Sequence, residues 1–141
     1  MNLYLLDTDH LSLHQRGHEA LMTHLFEVSP DQICISVISV EEMLRGRLAQ
    51  AHRAKDPKNR VQSYYWLSKT LDFLCGFKVL KYDPHAEAHF QELYSKKVRI
   101  GIQDLKIASI ALSSNAILLT RNFRDFNQIP SLEIEDWSVP L

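Results

Sequence analysis

Leu3-Tyr4-Leu5-Leu6-Asp7 is a short apolar run closed by an acid, and its reading decides the fold. A continuous apolar run of this length, ended by a polar residue, marks a strand buried on both faces, as in a parallel sheet. The first strand is therefore placed from Tyr4 to Asp7. The pattern recurs along the chain. Ile33-Cys34-Ile35-Ser36 reads as a second strand and Phe77 to Tyr82 as a third. Ala116-Ile117-Leu118-Leu119-Thr120 is the most apolar and is assigned a central place. Leu132 to Ile134 reads as a short last strand near an edge.

Helical segments separate these runs. Thr8 to Arg16 is a short helix punctuated by Gly17, and His18 to Val28 follows with Leu21, Met22, Leu25 and Phe26 at helical spacing. Ser39 is read as the N-cap of a helix running to about Arg53. Asp56-Pro57 starts another, ended by Gly76, and Asp83-Pro84 a third that runs to about Lys97, with proline at the tolerated first helical position each time. A further helix begins near Asp104. Alternation of strand and helix predicts an α/β domain: a mostly parallel central sheet of about five strands flanked by helices in three layers. The two helices between strands two and three predict a projecting hairpin. No repeat or linker divides residues 1–141, which are read as one domain.

Four acids occupy equivalent positions in this scheme. Asp7, Glu42, Asp104 and Asp125 each fall where a strand gives way to a helix, or just inside that helix. In a parallel sheet such junctions share the carboxyl edge, where these folds bind ligands. Converging carboxylates repel unless they share protons or hold a hard cation, so a divalent metal site is the leading expectation. Ordinary helix chemistry competes with it. Ser39-Val40-Glu41-Glu42 reads as a capping box with Glu42 at its end, Asp104 as a cap, and Asn122-Phe123-Arg124-Asp125 as a cap followed by an acid. Asp7 resists that explanation, because a strand-ending acid is expected to have no helix amide of its own. Asp9 is either a fifth member or solvated.

The remaining composition bounds the class. A hydrophobic share of 45% with 23% charged residues is that of a globular domain, and no apolar run approaches the ~20 residues of a membrane helix. An acid arrives by residue 7 with no basic segment before it, so no secretory signal is expected. Cys34 and Cys75 form no CxxC pair, which suits a reducing cytoplasm. The net charge of -1 hides local basic groups: Arg45, Arg47, Arg53, Lys55, Lys58 and Arg60; Lys96, Lys97 and Arg99; and Arg121 with Arg124. These are either solvated faces or a phosphate-contacting rim around an acidic centre. His10/His14 and His85/His89 have helical zinc spacing, but neither has an HExxH glutamate or an evident third ligand. Tyr64-Tyr65-Trp66 suits helix packing or a dimer surface better than base stacking.

Taken together, the motifs resemble the PIN-domain ribonucleases, specifically the VapC-like toxin half of bacterial toxin–antitoxin pairs. Tyr4-Leu5-Leu6-Asp7-Thr8 resembles the opening strand of that family. Ser36 to Gly46 resembles its second motif, and the glycine four residues after the acid selects Glu42 over Glu41. Asp104-Leu105-Lys106-Ile107-Ala108 resembles the third motif. Leu119-Thr120-Arg121-Asn122-Phe123-Arg124-Asp125-Phe126 resembles the fourth, followed by Ile129-Pro130-Ser131-Leu132 and Trp137. Asp9 stands where many relatives carry asparagine. The resemblance covers essentially the whole chain and implies a metal-dependent endoribonuclease of PIN-like fold. Asp7, Glu42, Asp104 and Asp125 would be catalytic and would hold Mg²⁺ or Mn²⁺. Thr8, Thr120 and Asn122 would position ligands or phosphate, and Arg45, Arg121 and Arg124 would contact the RNA backbone. It further implies a homodimer silenced by a small antitoxin. Two alternatives stand beside it. Asp7-Thr8-Asp9 also resembles the opening of haloacid-dehalogenase-type phosphatases, where the first aspartate is a nucleophile and the second an acid/base. The other is a PIN scaffold that binds RNA or protein without catalysis.

Overall fold

In the computed structural model, which describes residues 1–141, the apolar runs pair as parallel strands. β1 (Tyr4–Leu6), β2 (Ile33–Ser36), β3 (Lys78–Leu80), β4 (Ile117–Leu119) and β5 (Ile134–Glu135) form one sheet in the order β3-β2-β1-β4-β5. All four pairings are parallel, with Leu5 registered against Cys34 on one side and Leu118 on the other. The middle strand is thus β1, and β4 is its inner neighbour rather than the centre. The third strand is confined to Lys78–Leu80, shorter than the six residues expected. It is an edge strand with exposed Lys78 and Val79, so its ends have neither a second ladder nor burial to hold them.

Seven helices surround the sheet: α1 (Thr8–Gln15), α2 (Glu19–Phe26), α3 (Val37–Arg53), α4 (Pro57–Cys75), α5 (Pro84–Ser95), α6 (Ile102–Ser113) and α7 (Phe123–Phe126). Side chains of one strand alternate between two cores. Leu5, Cys34 and Leu118 face α5 and α6, where Ala86, Leu93, Leu105, Ile107 and Ile110 close around them. Leu6, Ile35, Ile117 and Leu119 face Leu11, Leu13, Leu21 and Leu74 from α1, α2 and α4. Burial on both faces is why the strands read as unbroken apolar runs. Each fully buried leucine among them contributes about 1.5–3 kcal/mol.

The caps differ from expectation at one place that matters. Ser36, not Ser39, caps α3: its Oγ accepts the Ser39 amide at 3.1 Å, and the helix begins at Val37. The side chain at the end of β2 reaches the first free amides, so the helix starts as soon as the strand stops. Glu42 is therefore well inside α3, and no capping box accounts for it. Asp56 and Asp83 cap α4 and α5 as the sequence indicates, each followed by proline. Gly17 turns the chain between α1 and α2 at φ 71°, a left-handed conformation that glycine adopts without strain. α3 and α4 pack together as the expected hairpin.

Candidate active site

Four segments at the carboxyl edge of the sheet deliver polar side chains to one cleft. β1 runs into Asp7, Thr8 and Asp9, α3 brings Glu42, the first turn of α6 brings Asp104, and the segment after β4 brings Arg121 and Asn122. These residues line a cavity of about 380 Å³ with no apolar side chain in its wall. Asp125 stands close enough for its charge to act on Asp104. The four acids picked out along the chain are thus neighbours in space.

Asp7 is buried, and contrary to expectation it does have a helix amide. Its Oδ1 accepts the His10 backbone N–H at 2.7 Å and caps α1, while its own N–H donates to the Leu119 carbonyl at 3.0 Å. The backbone turns into α1 directly after the strand, so the last strand residue serves as the helix cap. This engages one carboxylate oxygen and leaves Oδ2 for the cleft.

His10 lies behind Asp7, fully buried. Its Nε2 accepts the backbone N–H of Trp137 at 3.1 Å, so the ring proton sits on Nδ1. Nδ1 is 3.5 Å from Asp7 Oδ1 and has no hydrogen-bond partner. Donor atoms of Asp7, Asp9 and His10 lie within 4.8 Å of one another, the spacing of a possible metal group. Neither ring nitrogen offers a lone pair to it, however, and Asp9 is engaged elsewhere. His14, the other half of the zinc-spaced pair, packs edge-on against Phe73 and Phe77.

Glu42 is held by hydroxyls. Thr8 Oγ1 donates to its Oε1 at 2.7 Å. Thr8 has one hydroxyl proton, so in the 2.8 Å contact with Ser39 it is Ser39 that donates. The chain Ser39→Thr8→Glu42 fixes the carboxylate at the cleft. Asp104 occupies the first turn of α6 but does not cap it: the N-cap is Gly101, which makes no side-chain cap bond. Burial, then the charges of Asp7, Glu42 and Asp125, push its carboxyl up to about 6. At Asp125 the cap reading holds. Asn122 Oδ1 accepts its amide at 3.3 Å, and Asn122 Nδ2 donates to its Oδ2 at 2.9 Å. Buried Thr120 accepts the Asn122 amide at 3.0 Å, which sets the start of that turn.

The arginines divide. Arg121 makes a bidentate pair with Asp9, both contacts at 2.7 Å, and these bonds hold the Asp9 carboxyl below its ordinary value. Asp9 lines the same cleft, but both its oxygens accept from Arg121. It is also poorly placed as the acid/base of a phosphatase, since both its oxygens are occupied. Arg45 pairs with Glu41 on the exposed face of α3, and Arg124 is exposed. His10 is three residues from Asp7, so its nearness to the site is legible locally, but its bond to Trp137 is not. The Asp9–Arg121 pair and the serine–threonine support under Glu42 likewise join residues far apart in the chain, although Thr8 and Ser39 lie within stretches that the motifs already single out.

The donor set suits a hard cation. The available atoms are carboxylate oxygens, no lysine or arginine neutralises the four acids directly, and the site holds Asp104 at a raised pKa.

Comparison with known proteins bears on this geometry. The model of the PIN domain matches residues 4–132. The tRNA(fMet)-specific endonuclease VapC of Salmonella typhimurium is 28% identical over 138 residues, covering 95% of this chain and 97% of the relative. Ribonuclease VapC of Rickettsia bellii is 34% identical over 113 residues, 79% of each chain. Among solved structures, DNA-bound VapBC from Salmonella typhimurium superposes with a TM-score of 0.76 at 27% identity, over 97% of this chain and 99% of that one. VapBC2 from Rickettsia felis, bound to a promoter DNA fragment, gives 0.72 at 27% identity over 96% and 98%.

Proposed function

The chain belongs to the PIN-domain family and to its VapC-like branch, and from that membership we propose that it is an endoribonuclease acting as the toxin of a toxin–antitoxin pair. The observation that carries this is the convergence of Asp7, Glu42, Asp104 and Asp125 at the carboxyl edge of the sheet. Mg²⁺ or Mn²⁺ is the cofactor in this reading. A bound divalent ion would supply a more acidic water and offset phosphate charge.

The roles of the chain's own residues follow from their partners. Asp7 offers one oxygen to a cation because His10 holds the other. Asp104 and Asp125 complete an anionic wall, and Asn122 fixes the orientation of Asp125. Glu42 either joins that wall or orients the attacking water, and Thr8 keeps its carboxylate in place. Thr120 sets the turn that presents Asn122. Arg124 and Arg45 are the candidates for contacting backbone phosphates, while Arg121 must share its charge with Asp9.

The antitoxin and a homodimer belong to the same proposal. Support for the partner is that the Salmonella and Rickettsia structures are described as VapBC. No helix of the chain is long and apolar enough to cross a membrane.

The test is direct. The purified chain is incubated with total bacterial RNA in EDTA, then with Mg²⁺ or Mn²⁺, beside Asp7→Asn. Cleavage that needs the metal and falls by orders of magnitude in the variant is expected. Full cleavage in EDTA refutes the metal-dependent reading. Expression of the chain alone is expected to slow growth, and coexpression with a neighbouring small gene to relieve it.

A further inference from the structure

A second cavity, about 370 Å³, opens beside the acidic cleft between α1 and α3. Thr8 and Glu42 line both, so a strand seated over the acids runs on into this neighbour. Its size falls at the lower end of the ~300–1,000 Å³ typical of ligand pockets. Met43 is the only hydrophobic residue in its wall.

Arg47, on that wall, differs from the arginines around it. Arg45 and Arg121 are paired with carboxylates. Arg47 is held by neutral groups instead: Nε donates to Thr70 Oγ1 at 3.1 Å, Nη1 to Gln50 Oε1 at 3.2 Å, and the guanidinium lies 5.2 Å from the centre of the Trp66 ring. Its charge is fixed in place without an ion-pair partner. A guanidinium ordered in advance binds phosphate with less loss of side-chain freedom.

Gly46 supplies an independent observation. It lies in the interior of α3, where glycine costs about 1 kcal/mol relative to alanine. Packing does not require it, since a Cβ built there meets nothing within 4 Å. The missing side chain leaves this wall of the cavity bare, between Glu42 and Arg47.

We propose that this cavity is a nucleotide subsite for single-stranded RNA. Arg47 receives a phosphodiester flanking the scissile one, and Gly46 leaves room for that nucleotide's sugar and base. The inference rests on the ribonuclease reading above.

The test measures binding of a fluorescent single-stranded RNA oligonucleotide to the full chain by anisotropy. Asp104→Asn is present throughout to suppress cleavage, and salt is varied from about 50 to 200 mM. Arg47→Met keeps an apolar stem against Trp66 and deletes the charge. It is expected to weaken binding about tenfold and to reduce the slope of log K against log salt by about 0.7, the value for one phosphate on a single strand. A partial folding defect lowers the bound fraction but leaves that slope unchanged, so the slope separates the two causes. Arg47→Lys is expected to retain it. Gly46→Leu is expected to weaken binding without lowering the melting temperature, and Gly46→Ala to weaken it less. If Arg47→Met binds with the parent affinity and slope, while the wild-type chain cuts RNA, the subsite is refuted and the nuclease stands. A wild-type chain that neither binds nor cuts RNA overturns the nuclease reading, and this inference with it.

Discussion

Asp104→Asn should make the metal-free protein more stable at neutral pH, and the size of the gain follows from the site. The carboxyl of Asp104 is raised from 3.8 to about 6 by burial and by three neighbouring acids. Below about pH 3.8 it is protonated in both folded and unfolded chains and makes no difference. As pH rises from 3.8 to about 6, the unfolded chain releases its proton while the folded chain keeps it, so stability falls. Above about 6 the full penalty remains. At about 1.36 kcal/mol per pH unit the limit is about 3 kcal/mol, and partial hydration of the site reduces this to about 1–3. Asparagine removes that term but also loses the favourable charge in the first turn of α6, about 0.3–1 kcal/mol. No cap bond is lost with it. The net gain is about 1–2 kcal/mol at pH 7.5, or about 3–6 °C for a chain of this size. Urea denaturation in EDTA at pH 4 and pH 7.5 measures it. The difference between variant and wild type should be small at pH 4 and favour the variant at pH 7.5. A variant less stable at pH 7.5, or a difference independent of pH, would refute the claim that the four acids repel one another.

Three further outcomes are expected. Mg²⁺ or Mn²⁺ at about 100 times its Kd should add about 2.7 kcal/mol to wild-type stability and less to Asp7→Asn or Asp125→Asn, and equal shifts in thermal melts would mean that these acids share no site. Thr8→Val removes the hydroxyl that anchors Glu42, so RNA cleavage should fall about 10–100-fold with little change in circular dichroism, and unaltered kinetics would show that Glu42 needs no anchor. Arg121→Met breaks a pair whose members are each nearly half exposed, so the change in urea stability should stay within about 1 kcal/mol, and a larger loss would show that the pair organises the site.

The layered architecture was legible in the sequence because burial on both faces of a parallel strand leaves an unbroken apolar run. Leu3 to Leu6, Ile33 to Ile35 and Ala116 to Leu119 could hardly serve another purpose between helical segments. The positions of Asp7, Glu42, Asp104 and Asp125 followed from the same logic, since residues after parallel strands share one edge. The resemblance of those motifs to PIN ribonucleases pointed to the family that the comparisons support.

Tertiary structure alone decided what each side chain touches. Whether Ser36 or Ser39 capped α3 depended on where the β2 ladder stopped, which the run Ile33-Cys34-Ile35-Ser36 does not encode by itself. Asp9 was paired with Arg121, 112 residues away, and His10 was bonded to the amide of Trp137, 127 residues away. Local sequence carries periodicity and capping chemistry because these act over three or four residues. Hydrogen bonds and ion pairs between distant segments depend on how the layers dock, and only the folded chain brings their partners within 3 Å or so.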